Sequence, residues 1–177
     1  MNKMQKAALD YLYTNWHNGM AGGSDTAEIL GMNPNTLKTR IARNQAMVMR
    51  EQGGDTAKPL RFSGFHLIFN LIQDRMMRYG FSSGSEDEAT QTAYSYAEWV
   101  MENVLSGEHK TNAVLRLKKD SSGFEQVMLY EDGDVMDWTG DAVVAFPIGT
   151  MAVRIAFSML MRNGDVDALL KLAKSDE

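Results

Sequence analysis

The strongest constraint on the fold is a short stretch in which a glycine separates two helix-forming segments. From Thr26 to Ile41 the chain runs TAEILGMNPNTLKTRI. Gly31 can end the first helix because glycine adopts left-handed backbone without a steric penalty. Pro34 suits the first position of the second helix, where its missing N–H is not needed. Ala27 is small where the helices would cross, and the apolar residues that would fill the angle are Leu30, Met32, Leu37 and Ile41. The pattern predicts a tight two-helix elbow.

The N-terminal half is predicted to be helical around this elbow. The expected elements are a helix over 3–18, the elbow helices over 26–30 and 34–52, an extended piece over 58–62 and a helix over 65–79. Ser24 or Asp25 is the expected cap of the first elbow helix and Asn33 of the second. The second elbow helix is expected to continue to about residue 52 because Gly53-Gly54 is the next break.

The outer face of the second elbow helix would present amide, hydroxyl and cationic groups. They belong to Asn33, Asn35, Thr36, Lys38, Thr39, Arg40 and Arg43. Such groups bind phosphate oxygens or base edges when a helix enters the major groove of DNA. Lys38 best suits guanine and Asn33 or Asn35 adenine, whereas Arg40 and Arg43 suit phosphates. The alternative is an ordinary helical hairpin with a solvated face, which would not require this spacing of glycine, asparagine, proline and threonine.

Residues 24–43 resemble the Fis-type helix-turn-helix, which also occurs at the C-termini of bacterial enhancer-binding activators. The shared pattern is Ala, then Leu-Gly-Met-Asn, then Thr-Leu and a basic residue. The resemblance implies base contacts from Asn33 and Lys38, and backbone contacts from Thr36, Thr39 and Arg40. The chain departs from the family in having Pro34 where a polar or basic residue is frequent, and in placing the motif at its start. The partner domains of that family are therefore not implied.

A looser resemblance covers residues 58–81, which are similar to the winged regulators of the MerR kind. The extended Leu60-Arg61-Phe62 is followed by an apolar helix that ends in Arg78-Tyr79-Gly80-Phe81. This resemblance implies a wing and adds Arg61 to the expected DNA contacts.

Charge and periodicity divide the chain into two predicted domains, 1–81 and 86–177, joined by Ser82-Ser83-Gly84-Ser85. The net charge of −5 combines +4 over residues 1–80 with −9 over residues 81–177. The second half begins with a predicted helix and then alternates with period two over 113–117, 127–129, 135–138 and 142–146. Helices are predicted over 150–161 and 166–173. The expected fold class is α+β, in which a helix-turn-helix domain with a candidate wing precedes a small antiparallel four-stranded sheet packed with helices.

Several chemistries find no support in the sequence. The chain has no cysteine and three widely separated histidines, so neither a metal site nor a cofactor is expected. Neither Gly22-Gly23 nor Gly53-Gly54 is followed by the Lys-Ser/Thr pair of a phosphate-binding loop, and no catalytic group is apparent. No window approaches the roughly 18 apolar residues of a membrane span, so a cytoplasmic protein without a membrane partner is expected.

These features predict a sequence-specific transcription regulator, expected to be a repressor and not an enzyme, whose partner is double-stranded DNA. One recognition helix makes few contacts, so a homodimer is expected. It would form through the C-terminal half, because residues 150–161 are more apolar than a small sheet could cover. One alternative is a phage DNA-packaging protein like a small terminase subunit, or a replication accessory protein. Another is a regulator whose C-terminal domain senses a small molecule or a protein.

Overall fold

The computed structural model describes residues 1–49, 59–80, 88–106, 109–120, 123–130 and 143–164. These contain six α-helices, a π-helical segment and three strands. The helices are α1 (Lys3–Thr14), α2 (Gly23–Leu30), α3 (Pro34–Ala42), α4 (Gly64–Arg78), α5 (Glu88–Val100) and α6 (Ile148–Asn163). The π-helical segment, Met101–Leu105, continues α5, and the strands are β1 (Val114–Asp120), β2 (Gly123–Tyr130) and β3 (Val143–Phe146).

The predicted α+β class with a four-stranded sheet is wrong, because the described chain is mostly helical. Its sheet consists of the antiparallel hairpin β1–β2 and the four-residue β3, which pairs antiparallel with β1 to give the order β2-β1-β3. The expected strand over 135–138 and the helix over 166–173 lie outside the described residues. The described helices contain far more residues than the three strands, so period-two alternation overstated the share of sheet in the fold.

The predicted elbow is formed by α2 and α3. Gly31 ends α2 with a φ of 64°, and the Met32 N–H donates to the carbonyl of Ala27 at 2.8 Å. This is the paired arrangement that satisfies free carbonyls at a glycine-terminated helix end. Asn33 caps α3 by accepting the N–H of Asn35 at 2.9 Å, and Pro34 occupies the first helical position. Both were predicted, and both are confirmed.

In the N-terminal half, the predicted end of the first helix and the predicted N-cap of α2 are wrong. The helix α1 ends at Thr14 and not at residue 18, since the Asn15 amide donates to the Tyr11 carbonyl at 2.9 Å and Trp16 turns into the core. The helix α2 begins at Gly23. Its N-cap residue is Gly22, which forms no side-chain capping hydrogen bond, so neither Ser24 nor Asp25 is the N-cap.

The helix α3 ends ten residues earlier than predicted, at Ala42. Asn44 has a φ of 54°, which turns the backbone into the left-handed region. Beyond it, Met49 is extended, and its N–H donates to the carbonyl of Arg61 at 3.0 Å. Asn44 therefore ends α3 locally, and the hydrogen bond from Met49 to Arg61 holds the chain beyond it in an extended conformation.

The helix α4 is the centre of the core, and most of its side chains are buried. It packs against α5, and Gln73 donates to the Thr90 hydroxyl at 2.9 Å. At its start, Phe65 makes an edge contact with Trp16, with ring centroids 5.8 Å apart. The elbow thus packs, through α2, against a helix that begins about twenty residues after the end of α3.

The helix α6 connects the C-terminal part to the N-terminal part. It begins where the Gly149 N–H donates to the Ala113 carbonyl at 3.0 Å, and a side chain at Gly149 would collide with the backbone of Thr111. It packs along α1, and Arg162 near its end pairs with Asp25 of α2 at 2.9 Å. None of the described helices is both long and apolar enough to cross a membrane.

Candidate nucleic-acid interface

Six polar residues on and just after α3 line one open depression of about 350 Å³. They are Asn35, Thr36, Thr39, Arg40, Arg43 and Gln45. Asn35, Thr39 and Arg43 follow one another at four-residue spacing, so they lie along one side of α3. Five of the six were predicted from the sequence as contacts, and Gln45 was not. All carry hydrogen-bond donors, so this depression (the α3 groove below) suits a partner rich in oxygen acceptors.

The chain segment that contains α3 carries only positively charged side chains. From residue 29 to residue 49 the chain contains Lys38, Arg40 and Arg43 and no acidic residue. Such a cluster of cations raises the local concentration of polyanions.

Lys38 lies on the opposite flank of α3 from most of the other predicted contacts. It borders a second cavity, of about 360 Å³, between the start of α2, α3 and the 59–60 segment. The lining is largely apolar and includes Leu37, Ile41 and Leu60. The exposed arc of α3 therefore has a cation on one flank and the α3 groove on the other.

Two predicted contacts also have roles within α3. The side-chain oxygen of Asn33 accepts the Asn35 N–H, which commits that oxygen to the helix cap. The Thr39 hydroxyl donates to the Asn35 carbonyl at 2.9 Å, and its lone pairs can still accept. Both residues are exposed.

Arg40 is bound to a buried carboxylate of α4. Its Nη2 lies 2.8 Å from Oδ1 of Asp74, and Nε of Arg78 lies 2.9 Å from Oδ2. The Asp74 side chain is 1% exposed and that of Arg40 is 14% exposed. The one carboxylate is thus shared by two guanidinium groups, one from α3 and one from its own helix.

One turn earlier on α4, a buried amide holds the segment after α3. The Asn70 side chain accepts the Met47 N–H at 2.8 Å and donates to the Met47 carbonyl at 2.7 Å. Neither Asn70 nor Asp74 was predicted from the sequence. The signal was available, since Asn70 and Asp74 stand among the apolar residues of the predicted helix, and polar side chains must find partners when they are buried.

Arg61 was expected to contact DNA from the wing. It is exposed and is not among the residues that line the α3 groove. Its backbone pairs with Met49, and Phe62 beside it pairs with Ala21. Any side chain at Gly19 would meet Cβ of Arg61 at 2.9 Å. The predicted extended conformation over 58–62 is confirmed at Arg61 and Phe62. Each forms an isolated bridge: Arg61 pairs with Met49 after α3, and Phe62 pairs with Ala21 after α1.

Ser63 and His66 form the only close serine–histidine contact in the described part of the chain, and they cap α4. The Ser63 hydroxyl lies 2.7 Å from Nδ1 of His66, and the Ser63 N–H donates to the same nitrogen at 3.3 Å. Since a backbone N–H can only donate, Nδ1 is the unprotonated nitrogen. Burial, with a smaller contribution from His17, lowers the pKa of His66 to about 4. Ser63 is fully buried, so this pair stabilises the start of α4 and offers no accessible nucleophile.

No protein-family model matches the chain, and no curated protein matches it.

Proposed function

We propose that this protein binds double-stranded DNA sequence-specifically and regulates transcription, with α3 lying in the major groove. The supporting observation is the exposed polar face of α3, presented by a glycine-terminated elbow whose inner side, at Leu37, is buried. Amide and hydroxyl groups near the start of a helix can reach base edges, and guanidinium groups can neutralise phosphates.

The roles divide along α3. Asn35, Thr36 and Thr39 read base edges from the α3 groove, Lys38 reads guanine from the other flank, and Arg43 contacts a phosphate. Two copies bind adjacent half-sites, because one short helix makes too few base contacts for high specificity.

The test begins with selection of duplexes from a random library by the purified full chain. The selected sequence and a scrambled version are then titrated over a range of salt concentrations. We expect Asn35→Ala and Lys38→Ala each to cost about 1–3 kcal/mol on the selected duplex and little on the scrambled one. Failure to enrich any sequence, with no binding to either duplex, would contradict the proposal.

A matched pair of variants separates a direct phosphate contact from a general charge effect. Arg43→Gln and Arg154→Gln remove the same charge from exposed positions, one on the α3 groove and one on α6. Arg43→Gln should lower the salt slope by about one, and Arg154→Gln should leave it unchanged. Equal effects would remove Arg43 from the interface.

Stoichiometry is measured on the same complexes by sedimentation. Two chains per selected duplex are expected of a regulator that binds half-sites. A ring of more than two chains would contradict the dimer and favour the DNA-packaging alternative.

A further inference from the structure

We propose that Asp74 is the positioning residue of the recognition face, and that Arg40 serves to attach α3 to α4 and does not contact DNA. The inference rests on the proposed function. Asp74 is almost wholly buried, and a buried carboxylate is tolerated only where nearby opposite charges compensate its lost hydration. Arg40 supplies one of the two compensating charges at 2.8 Å.

Two attachments on the same side of α4 hold the end of α3 and the segment that follows. Asn70 and Asp74 are one helical turn apart, so their side chains lie on one face. Asp74 binds Arg40 within α3, and Asn70 binds both backbone polar groups of Met47. Together they fix the end of α3 and the segment after it against the core.

Arg40 and Arg43 therefore differ in role although both border the α3 groove. A phosphate contact by Arg40 would compete with Asp74 and leave that carboxylate buried beside Arg78 alone. Arg43 is exposed and has no ion-pair partner among the described residues. A phosphate contact by Arg43 requires no such exchange.

If Asp74 positions α3, breaking this attachment should reduce discrimination between DNA sequences without removing phosphate contacts. Base readout depends on the orientation of short side chains such as those of Asn35 and Thr39, whereas attraction to phosphates depends mainly on charge. If the attachment is broken, α3 keeps its cations but samples other orientations. The affinity ratio between the selected and the scrambled duplex should then fall while the salt slope stays the same.

The first test compares Arg40→Gln with Arg43→Gln, which remove the same charge three residues apart. Arg43→Gln should weaken both duplexes similarly and lower the salt slope by about one. Arg40→Gln should leave the slope unchanged and reduce the affinity ratio about tenfold, the size of one lost base contact. A slope reduced equally in both variants would show that Arg40 contacts phosphate and would overturn the proposal.

The second test changes the carboxylate. Asp74→Asn adds one net positive charge, so binding to the scrambled duplex should be retained or strengthened while the affinity ratio falls. Arg40→Lys keeps a cation opposite Asp74 and should recover most of the ratio lost in Arg40→Gln. All variants are compared at a temperature at which their helical circular dichroism equals that of the wild type. An unchanged ratio in Asp74→Asn would overturn the proposal.

A third measurement needs no DNA and separates this proposal from the proposed function. Amide hydrogen exchange in α3 should be faster in Asp74→Asn and Arg40→Gln than in the wild type, and unchanged in Arg43→Gln. If the wild type selects no duplex, the proposed function fails, yet this measurement still decides whether Asp74 orients α3. Equal exchange in all four proteins would overturn it.

Discussion

Gly31 holds the turn of the elbow through its backbone alone. Its φ is 64°, and beyond its two chain neighbours no heavy atom lies within 4 Å of where a Cβ would be. Gly31→Ala should therefore lower the free energy of unfolding by about 1 kcal/mol, from left-handed strain without any clash. Gly31→Asn should cost less, because asparagine tolerates this region better. Urea unfolding followed by circular dichroism measures both.

Gly23→Ala is the matched control for this prediction. Gly23 also has open space around it, but it is the first residue of α2 and has no positive φ. Alanine there should be neutral or stabilising, since it restricts the unfolded chain. If both alanine variants behave alike, the backbone conformation of Gly31 does not limit stability.

His66 links stability to pH. Because burial lowers its pKa from 6.5 to about 4 in the folded chain, the unfolded chain takes up the proton first on acidification. The contribution of His66 is fully present above about pH 6.5, declines as the pH falls towards 4 and changes no further below that. Protonation of Nδ1 would also remove the acceptor for the Ser63 N–H.

His66→Gln tests this linkage, because glutamine suits the third position of a capped helix and does not titrate. The difference in unfolding free energy between wild type and variant should shift in favour of the variant as the pH falls from 6.5 to 4. Chemical denaturation at several pH values gives this difference directly. A constant difference over that window would show that His66 stays unprotonated in both states or titrates equally in them.

Among the helices and strands, local signals predicted the elbow but not its surroundings. Gly31, Asn33 and Pro34 act on neighbouring backbone, so their effect could be inferred from spacing. The position of the segment after α3 depends on Asn70, which lies 23 residues beyond Met47, and no local pattern shows that pairing. The sheet was mispredicted for a related reason: alternation is a local pattern and cannot show that β3 pairs with β1.

The candidate site shows the same division. The polar residues of the α3 groove could be predicted because four-residue spacing places them on one side of a helix. The partner of Arg40 could not, since Asp74 lies 34 positions later on another helix. From the sequence alone, Arg40 and Arg43 were both expected to contact phosphates, and only the fold distinguishes them.

Asn70 should govern the segment that follows α3. Asn70→Ala leaves the Met47 N–H and carbonyl without their partners and should cost about 1–3 kcal/mol in unfolding free energy. Amide exchange at Met47 should accelerate more than exchange in α5. Asn70→Asp, which keeps the acceptor but loses the donor, should protect the Met47 N–H better than alanine does. Equal exchange in alanine and aspartate variants would show that the amide contributes little.

At the scale of the whole molecule, α6 joins parts of the chain that sequence analysis assigned to separate domains. Its buried residues include Ile155, and it packs along α1. Arg162 at its end lies 2.9 Å from Asp25 and 2.7 Å from Glu28 on α2. The apolar face of α6 that suggested a dimer contact is covered at least in part by the same chain. The two-domain division and the homodimer both remain predictions.

Cooperativity of unfolding decides whether the two predicted domains are independent. Ile155 is 2% exposed, so Ile155→Ala should cost about 2–5 kcal/mol. If α6 and α1 share one core, this loss must destabilise the N-terminal helices as well. Trp16, buried at the end of α1, reports on them once Trp99 and Trp138 are replaced by phenylalanine.

We expect the fluorescence midpoint of Trp16 in urea to fall with Ile155→Ala and to coincide with the midpoint from circular dichroism. Arg154→Ala, at the exposed neighbouring position on α6, should move it by less than about 0.5 kcal/mol and serves as the control. If Ile155→Ala leaves the Trp16 midpoint unchanged, the helix-turn-helix folds without α6. The exposed ion pairs of Arg162 with α2 would then contribute little to the stability of the elbow. A shared transition would instead make every loss of packing around α6 a loss of the fold that presents α3.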